Sequence, residues 1–358
     1  SVPLLNGGID MYNIGIIGCG KIAQLRHLPE YAARGDVRIA GVYDRNQERG
    51  EAVAKNYGAK SYHTYEELLA NPEIVAVSVC TANNSHAEIS MKALQAGKHV
   101  LCEKPMALTR EECREMVRAA ERNGRHLLVG HNQRFLKTHQ EARRLLQEGA
   151  VGKLISFETH FTHAGPETWS IDAGKNVWFF DKDKAVFGAM ADLGVHKTDL
   201  IRYLTGQEIV LSHAFLETLD KKGGDGTPIA VDDYAVCYYR LEQGAAGTMT
   251  VGWSNYGRED NSTILYGQEG VMKLYCDEKY SLIIEKKDGT RVSHEIDRIQ
   301  TNAGQSKSGV IDEFIECISE DRESIISGRE ALASMEAVFS AIENADTMGL
   351  AGKRRELR

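Results

Sequence analysis

The run Gly18-Cys19-Gly20-Lys21-Ile22-Ala23 constrains this chain more than any other feature. An apolar strand pattern, Tyr12–Ile17, leads into it, and a helical pattern over residues 21–33 follows it. The first glycine permits a tight turn, the second lets backbone approach a pyrophosphate, and the small Ala23 lets the helix sit close to its strand. The N-terminus of that helix then points at an anion. The competing reading is an ordinary strand-turn-helix whose glycines serve only packing. A methyltransferase is disfavoured, because Ile22 stands where its usual third glycine would be.

A second apolar run, Val37–Tyr43, ends in Asp44, 24 positions after Gly20, about where an acid accepts the ribose hydroxyls of a dinucleotide. The conjunction predicts a Rossmann unit whose cofactor contacts include Gly18, Cys19, Gly20, Lys21, Ile22, Asp44 and Arg45. Asp44 repels a 2′-phosphate whereas Arg45 attracts one, so NAD is favoured and NADP stays open. Asp44 also suits a helix cap ahead of Asn46, and the two jobs are compatible.

Between residues 12 and 129, strand patterns near 12–17, 37–43, 74–80, 98–102 and 126–129 alternate with helical ones near 21–33, 46–57, 65–70, 85–96 and 109–123. That alternation specifies a doubly wound parallel sheet. Ligands of such sheets lie at the carboxyl ends of the strands, so Gly18, Asp44, Thr81 and Glu103-Lys104 should converge on one crevice. Beyond residue 129 the pattern reads as a helix near 136–148, a strand near 153–163, a polar and aromatic loop over 164–188 and a helix near 189–204. Strand patterns then dominate, at 234–241, 247–253, 262–266, 271–275 and 282–285, before helices near 307–320 and 329–346. The expected architecture is an α/β Rossmann domain over residues 11–130. A second α/β domain with a large, mostly antiparallel sheet follows over 131–349. Residues 1–10 are read as an extension or an expression remnant.

With 358 residues, 42% hydrophobic and 26% charged, the chain has ample core for two domains. Its net charge of -8 and lack of a basic stripe argue against nucleic acid, and the basic Lys353-Arg354-Arg355 reads as a solvated tail. The seven cysteines contain no C-x-x-C pair, so neither a disulfide framework nor a zinc cage is expected and no metal is assigned. A reducing, cytoplasmic setting fits, and no apolar run is long enough for a membrane span.

Glu103-Lys104-Pro105 follows a strand and so stands at the crevice rim, where a lysine can meet substrate oxygen. Proline holds Lys104 extended. Asp192 and His196, four apart on a helical pattern, share a face, and a carboxylate there would orient the imidazole and raise its proton affinity. Leu193, His196, Leu200 and Leu204 also form an apolar stripe, which allows a buried structural histidine instead.

Together the G-x-G-x-x-A turn, the E-K-P triplet, Gly130-His131-Asn132-Gln133-Arg134-Phe135 and the D-x-G-x-H segment resemble the Gfo/Idh/MocA oxidoreductases over residues 11 to about 349. The resemblance implies hydride exchange between NAD(P) and a secondary alcohol or ketone of a sugar, cyclitol or sugar derivative. It also implies that the sheet of residues 131–349 is open, and that this domain carries substrate binding and oligomerisation, as a homodimer or homotetramer through that sheet. It assigns Lys104, Asp192 and His196 to the catalytic set, and Thr81, Asn83, His86, Glu103, Lys104, Asn132 and Arg134 to the cofactor side. Arg134 equally suits a structural salt bridge. One departure stands out, since the family often carries a glycine run before the aspartate, whereas Val186-Phe187-Gly188 keeps one glycine.

His160 and His163, three apart on a strand, face opposite sides, so they are not expected to share a metal. Trp169, Trp178 and Phe179 flank the polar loop and offer stacking surface for a sugar, or simple burial. In the expected mechanism His196 takes the hydroxyl proton, Lys104 stabilises the developing alkoxide, and Asp192 orients His196 or holds a neighbouring hydroxyl. Two other readings stay open: a glycosidase working through transient oxidation and elimination, and a non-catalytic nucleotide-binding sensor.

Overall fold

The computed structural model describes residues 11–299 and 307–348; residues 1–10 and the basic tail lie outside the described residues. Six strands form the first sheet: β1 (Tyr12–Ile17), β2 (Val37–Tyr43), β3 (Lys60–Ser61), β4 (Ala76–Val79), β5 (His99–Cys102) and β6 (Leu127–Val129). They pair in parallel in the order β3-β2-β1-β4-β5-β6. Ile14, Ile16 and Ile17 in β1 and all four residues of β4 are buried, as strands covered by helices on both faces must be. Local chemistry sets the helix ends. Asn46 caps Gln47–Tyr57, and Thr109 with Glu112 forms a capping box on Arg110–Asn123. Gly58 and Gly124, both left-handed, stop these two helices.

The second sheet has nine strands: β7 (Leu154–Thr162), β8 (Ile209–Glu217), β9 (Tyr234–Leu241), β10 (Ala246–Gly252), β11 (Thr263–Gly267), β12 (Gly270–Leu274), β13 (Leu282–Lys286), β14 (Arg291–His294) and β15 (Asp346–Met348). Their order is β14-β13-β12-β11-β7-β10-β9-β8-β15. Only the β7–β10 and β8–β15 pairings are parallel; the rest are antiparallel. Phe157, Cys237, Tyr239, Met249 and Val251 bury one face of this sheet. The helices Val195–Thr205 and Gly328–Glu343 contribute Leu200, Leu204, Met335 and Val338 to the same core.

Several elements depart from expectation. Strands β8 and β14 replace segments with no assigned structure. The last helix ends at Glu343, and the chain then enters β15, which pairs in parallel with β8. The helix Val310–Glu320 begins three residues later than its pattern suggested, behind the left-handed Gly309. It buries Val310, Ile311, Phe314 and Ile315 in the core around β1 rather than against the second sheet.

Candidate active site

The turn after β1 opens on a cleft of about 900 Å³ that runs past the carboxyl ends of β1, β2, β4 and β5 and is closed by the 164–188 loop and the Asp192–His196 segment. Gly18 has φ +92°, and a Cβ there would stand 2.7 Å from the Cys80 carbonyl. This glycine therefore serves close backbone packing. Gly20 differs: no atom lies within 4 Å of where its Cβ would be, and it faces the cleft. The helical run that starts at Lys21 leaves first-turn N–H groups without intrahelical acceptors, so the open space at Gly20 suits a diphosphate.

Lys21, Ile22, Asp44, Arg45, Thr81, Asn83, Glu103, Lys104 and Asn132 all line this cleft. Cys19 does not. It is fully buried, its N–H goes to Asp44 Oδ2 at 2.7 Å, and its thiol packs on the Tyr43 carbonyl. Asp44 also accepts the Asn46 N–H through Oδ1 and meets Arg49 at 3.3 Å, so it ties the two turns together at the cleft edge. The cap of the following helix is Asn46 itself.

Arg134 is a second correction. Its guanidinium holds Asp199 bidentately at 2.7 and 2.8 Å, reaches the Ile325 carbonyl and Glu330, and is absent from the cleft lining. With its donors spent on Asp199, the Ile325 carbonyl and Glu330, it is a structural salt bridge. His86 borders the cleft, but its two ring nitrogens lie 2.8 Å from the Pro105 carbonyl and 3.0 Å from the Thr81 carbonyl, so it staples two turns together. Glu103 is likewise engaged. Its Oε1 meets His27 Nε2 at 2.8 Å and Arg26 at 3.5 Å. Burial pushes the Glu103 carboxyl up, but His27 and the charges of Arg26 and Lys104 outweigh it and hold it at about 2.

Across the junction, Lys104 Nζ donates to Asp192 Oδ1 at 2.8 Å and to the Asp192 carbonyl at 3.0 Å. The other carboxylate oxygen of Asp192 accepts the Trp253 indole N–H at 3.2 Å. No hydrogen bond joins His196 to Asp192, contrary to the helical-face expectation; the carboxylate is held by Lys104 and Trp253 instead. The turn Met190–Gly194 is π-helical, which also alters the regular α spacing. His196 Nδ1 is buried without a hydrogen-bond partner, its ring 5.8 Å from that of Phe161. Burial, followed by the positive charge of Lys104, pushes its pKa well below the usual histidine range. The proton affinity of His196 is lowered, not raised.

Asp232, which the sequence did not single out, accepts the Gly188 and Met190 N–H groups at 2.7 Å each and so positions Asp192. Burial raises its pKa to about 6 although those two bonds pull it down. A Cβ on Gly188 would lie 1.7 Å from the Asp232 carbonyl oxygen, so the one glycine kept before Asp192 is the one that admits no side chain. Val186, by contrast, takes φ +64° as a β-branched residue. Neither Trp253 nor Asp232 carried a signal in the sequence, since their contacts lie 61 and more than 40 residues away.

Trp178 stacks on Phe179 at 3.9 Å and Trp169 meets Phe179 edge-on; all three line the cleft, and Phe179 abuts Trp253. His163 lines it too, whereas His160 does not. The buried oxygens Asn132 Oδ1 and Gln133 Oε1, like His196 Nδ1, have no hydrogen-bond partner. A buried polar atom left without a partner beside a cleft calls for an explanation, and a bound ligand is one.

Comparisons with known proteins give the family and the fold. A family model described as an oxidoreductase family with an NAD-binding Rossmann fold matches residues 12–131, and the GFO/IDH/MocA C-terminal domain model matches 139–273. A levoglucosan dehydrogenase from Pseudarthrobacter phenanthrenivorans is 30% identical over 72% of each chain. A glucose-6-phosphate 3-dehydrogenase from Bacillus subtilis is 33% identical over 65% of each. The fold matches a solved levoglucosan dehydrogenase, in complex with NADH and levoglucosan, at a TM-score of 0.79 and 24% identity, covering 94% of this chain and 97% of that one.

Proposed function

The chain belongs to the Gfo/Idh/MocA family of NAD-binding oxidoreductases, which act on CH–OH groups, and from that premise we propose that it oxidises a secondary carbinol of a sugar or cyclitol. NAD is the favoured cofactor, supported by the carboxylate of Asp44 at the cleft edge. The bound nicotinamide supplies the hydride acceptor. Gly20, with the first-turn amides after it, would hold the diphosphate, and Thr81 and Asn83 would border the nicotinamide half.

The chain's own residues handle the proton and the charge. A sugar hydroxyl is too weak an acid to ionise at neutral pH, so a base must take its proton as charge develops. His196 is neutral at that pH and has an unpartnered ring nitrogen, which supports it in that role. The Lys104 ammonium would stabilise the developing alkoxide. Asp192, gripped by Trp253, would position Lys104 rather than His196.

The observation that carries this reading is the placement of Lys104, Asp192 and His196 on one cleft with Gly20. The experiment is reduction of NAD or NADP by levoglucosan and myo-inositol, followed by the absorbance of the reduced coenzyme. Turnover that Lys104→Ala and His196→Ala abolish without unfolding the protein is the expected result. Wild-type rates in both variants reject the assignment. Assembly fits the same reading: Leu211, Phe215 and Tyr238 expose apolar surface on neighbouring strands of the open sheet, which suits a second copy of the chain.

A further inference from the structure

Lys197 follows His196 in sequence, is fully buried, and has no part in the chemistry above. Burial pushes its pKa down to about 7, against the weaker opposing effect of Asp260, Cys276 and Glu259, none of which forms an ion pair with it among the described residues. Among those residues its one hydrogen bond runs from Nζ to the Asn261 carbonyl at 3.0 Å. An apolar side chain of the same length would avoid the cost of taking an amine out of water. What such a side chain could not do is donate to that carbonyl.

The carbonyl needs a donor because of where the sheet ends. Thr162 and Asp260 exchange both backbone bonds, at 2.8 and 3.0 Å. Phe161 and Asn261 are then a facing pair that exchanges none, with side chains close together on one face and the Asn261 main chain pointing away from β7. On that other side β12 stops at Leu274, opposite Thr263, and does not reach Asn261. Lys197 supplies the missing donor to a residue that is only 5% exposed. Phe161 sits between the two consecutive side chains of the helix, its ring centroid 5.8 Å from that of His196 and 6.0 Å from Lys197 Nζ.

Asn261 and Gln133 both line the cleft, whereas Lys197 does not. Gln133 Nε2 donates to Asn261 Oδ1 at 3.3 Å, which commits that oxygen and leaves the Asn261 amide N–H groups beside the unpartnered Gln133 Oε1. A donor next to an acceptor suits one hydroxyl, which can accept and donate at once. We propose that Lys197 is a positioning residue: by holding the Asn261 carbonyl it fixes the Asn261–Gln133 amide pair against Phe161, at the end of the cleft where His196 acts. This rests on the carbinol-oxidation reading above and adds to it a residue that touches neither substrate nor coenzyme.

The test is steady-state kinetics of the full-length enzyme on the better of levoglucosan and myo-inositol, for Lys197→Met, Asn261→Ala and the double variant, with a calorimetric coenzyme titration of each. Asn261→Ala should raise KM roughly tenfold, the loss of one buried hydrogen bond. Lys197→Met should raise it about three- to tenfold, with kcat within about twofold of the wild type and coenzyme affinity unchanged. In the double variant KM should match that of Asn261→Ala alone, because Lys197 acts through that residue. A general loss of packing would instead lower kcat, weaken coenzyme binding and multiply with Asn261→Ala. That pattern overturns the inference, as does an unchanged KM in either single variant. Lys197→Gln, which keeps an N–H donor on a shorter arm, carries the same cycle if the methionine variant does not fold: a KM rise absorbed by Asn261→Ala supports the inference, and a loss confined to kcat overturns it. Failure of the parent reading looks different: the wild type binds coenzyme yet oxidises neither compound, and this inference falls with it.

Discussion

Lys104 Nζ lies 2.8 Å from Asp192 Oδ1, a bond between residues 88 apart that joins the end of β5 to the turn ahead of the second domain's main helix. A lysine before a proline on a strand end would otherwise be a mobile surface group. Here the carboxylate restrains it, the Trp253 indole restrains the carboxylate, and the ammonium is held at the mouth of the cleft beside His196.

Removing either member of that pair should affect rate in different degrees. Lys104→Met should lower kcat roughly 10²–10³-fold, the usual cost of losing one charge-stabilising donor. Asp192→Asn, which keeps an acceptor for the ammonium but loses its charge, should cost less. Steady-state kinetics on both variants checks the ranking, and a larger loss in Asp192→Asn would assign Asp192 a direct part in proton transfer.

The pH profile should report His196. It acts as a base only when neutral, and its pKa is held well below the usual range, first by burial and then by Lys104. The acid limb of kcat/KM for oxidation should therefore lie below pH about 6.5. In Lys104→Met the neighbouring positive charge is gone and the limb should move to higher pH. A limb that stays in place would uncouple the two residues.

Acid should destabilise the fold through its buried histidines. His139 is fully buried against Tyr275, and its pKa is lowered to about 3, chiefly by burial and next by Lys197. The unfolded chain binds a proton at pH about 6.5 that the folded chain refuses until pH about 3. Stability is thus lost as pH falls below the unfolded value, at up to about 1.4 kcal/mol per pH unit for this group. Asp232, raised to about 6, and Glu30, also raised by burial, work in the opposite direction as pH falls, but the buried histidines outnumber them. Burial lowers His86, His99, His131, His163 and His196 as well, in the same sense as His139. The melting temperature should drop between pH 7.5 and 5, and less steeply in His139→Asn.

Val186 offers a stability gain. A β-branched residue at φ +64° costs about 1–2 kcal/mol that glycine avoids, partly offset by glycine's greater freedom in the unfolded chain. Val186→Gly should raise stability by up to about 1 kcal/mol in a denaturant titration. A loss of stability would show that the valine side chain's packing outweighs the strain.

Much of this was legible because it is local. The Gly18 turn, the alternation of β1 to β6 with helices, and the Asn46 and Thr109 caps each rest on residues a few positions apart. What escaped depends on distant partners. β15 exists because β8 offers it an edge, and nothing in an apolar helical pattern running to residue 346 marks where that edge takes over. β8 leaves Val210, Leu211 and Phe215 exposed, so its apolar residues do not sort onto one face in sequence. In the site, residue types and positions were readable but pairings were not. Asp192 chose Lys104 and Trp253 over the nearby His196, Arg134 chose Asp199, and Cys19 turned its amide toward Asp44.

The central claim is that the space in front of Gly20 receives a coenzyme diphosphate. Calorimetric titration of NAD and NADP into the wild type and Gly20→Val tests it most directly, because the Cβ position at Gly20 meets no protein atom within 4 Å. The account predicts that the variant melts close to the wild type but binds the coenzyme at least about a hundredfold more weakly, a loss of roughly 2.7 kcal/mol. Equal coenzyme affinity in a folded Gly20→Val protein, or no coenzyme binding by the wild type, would contradict it.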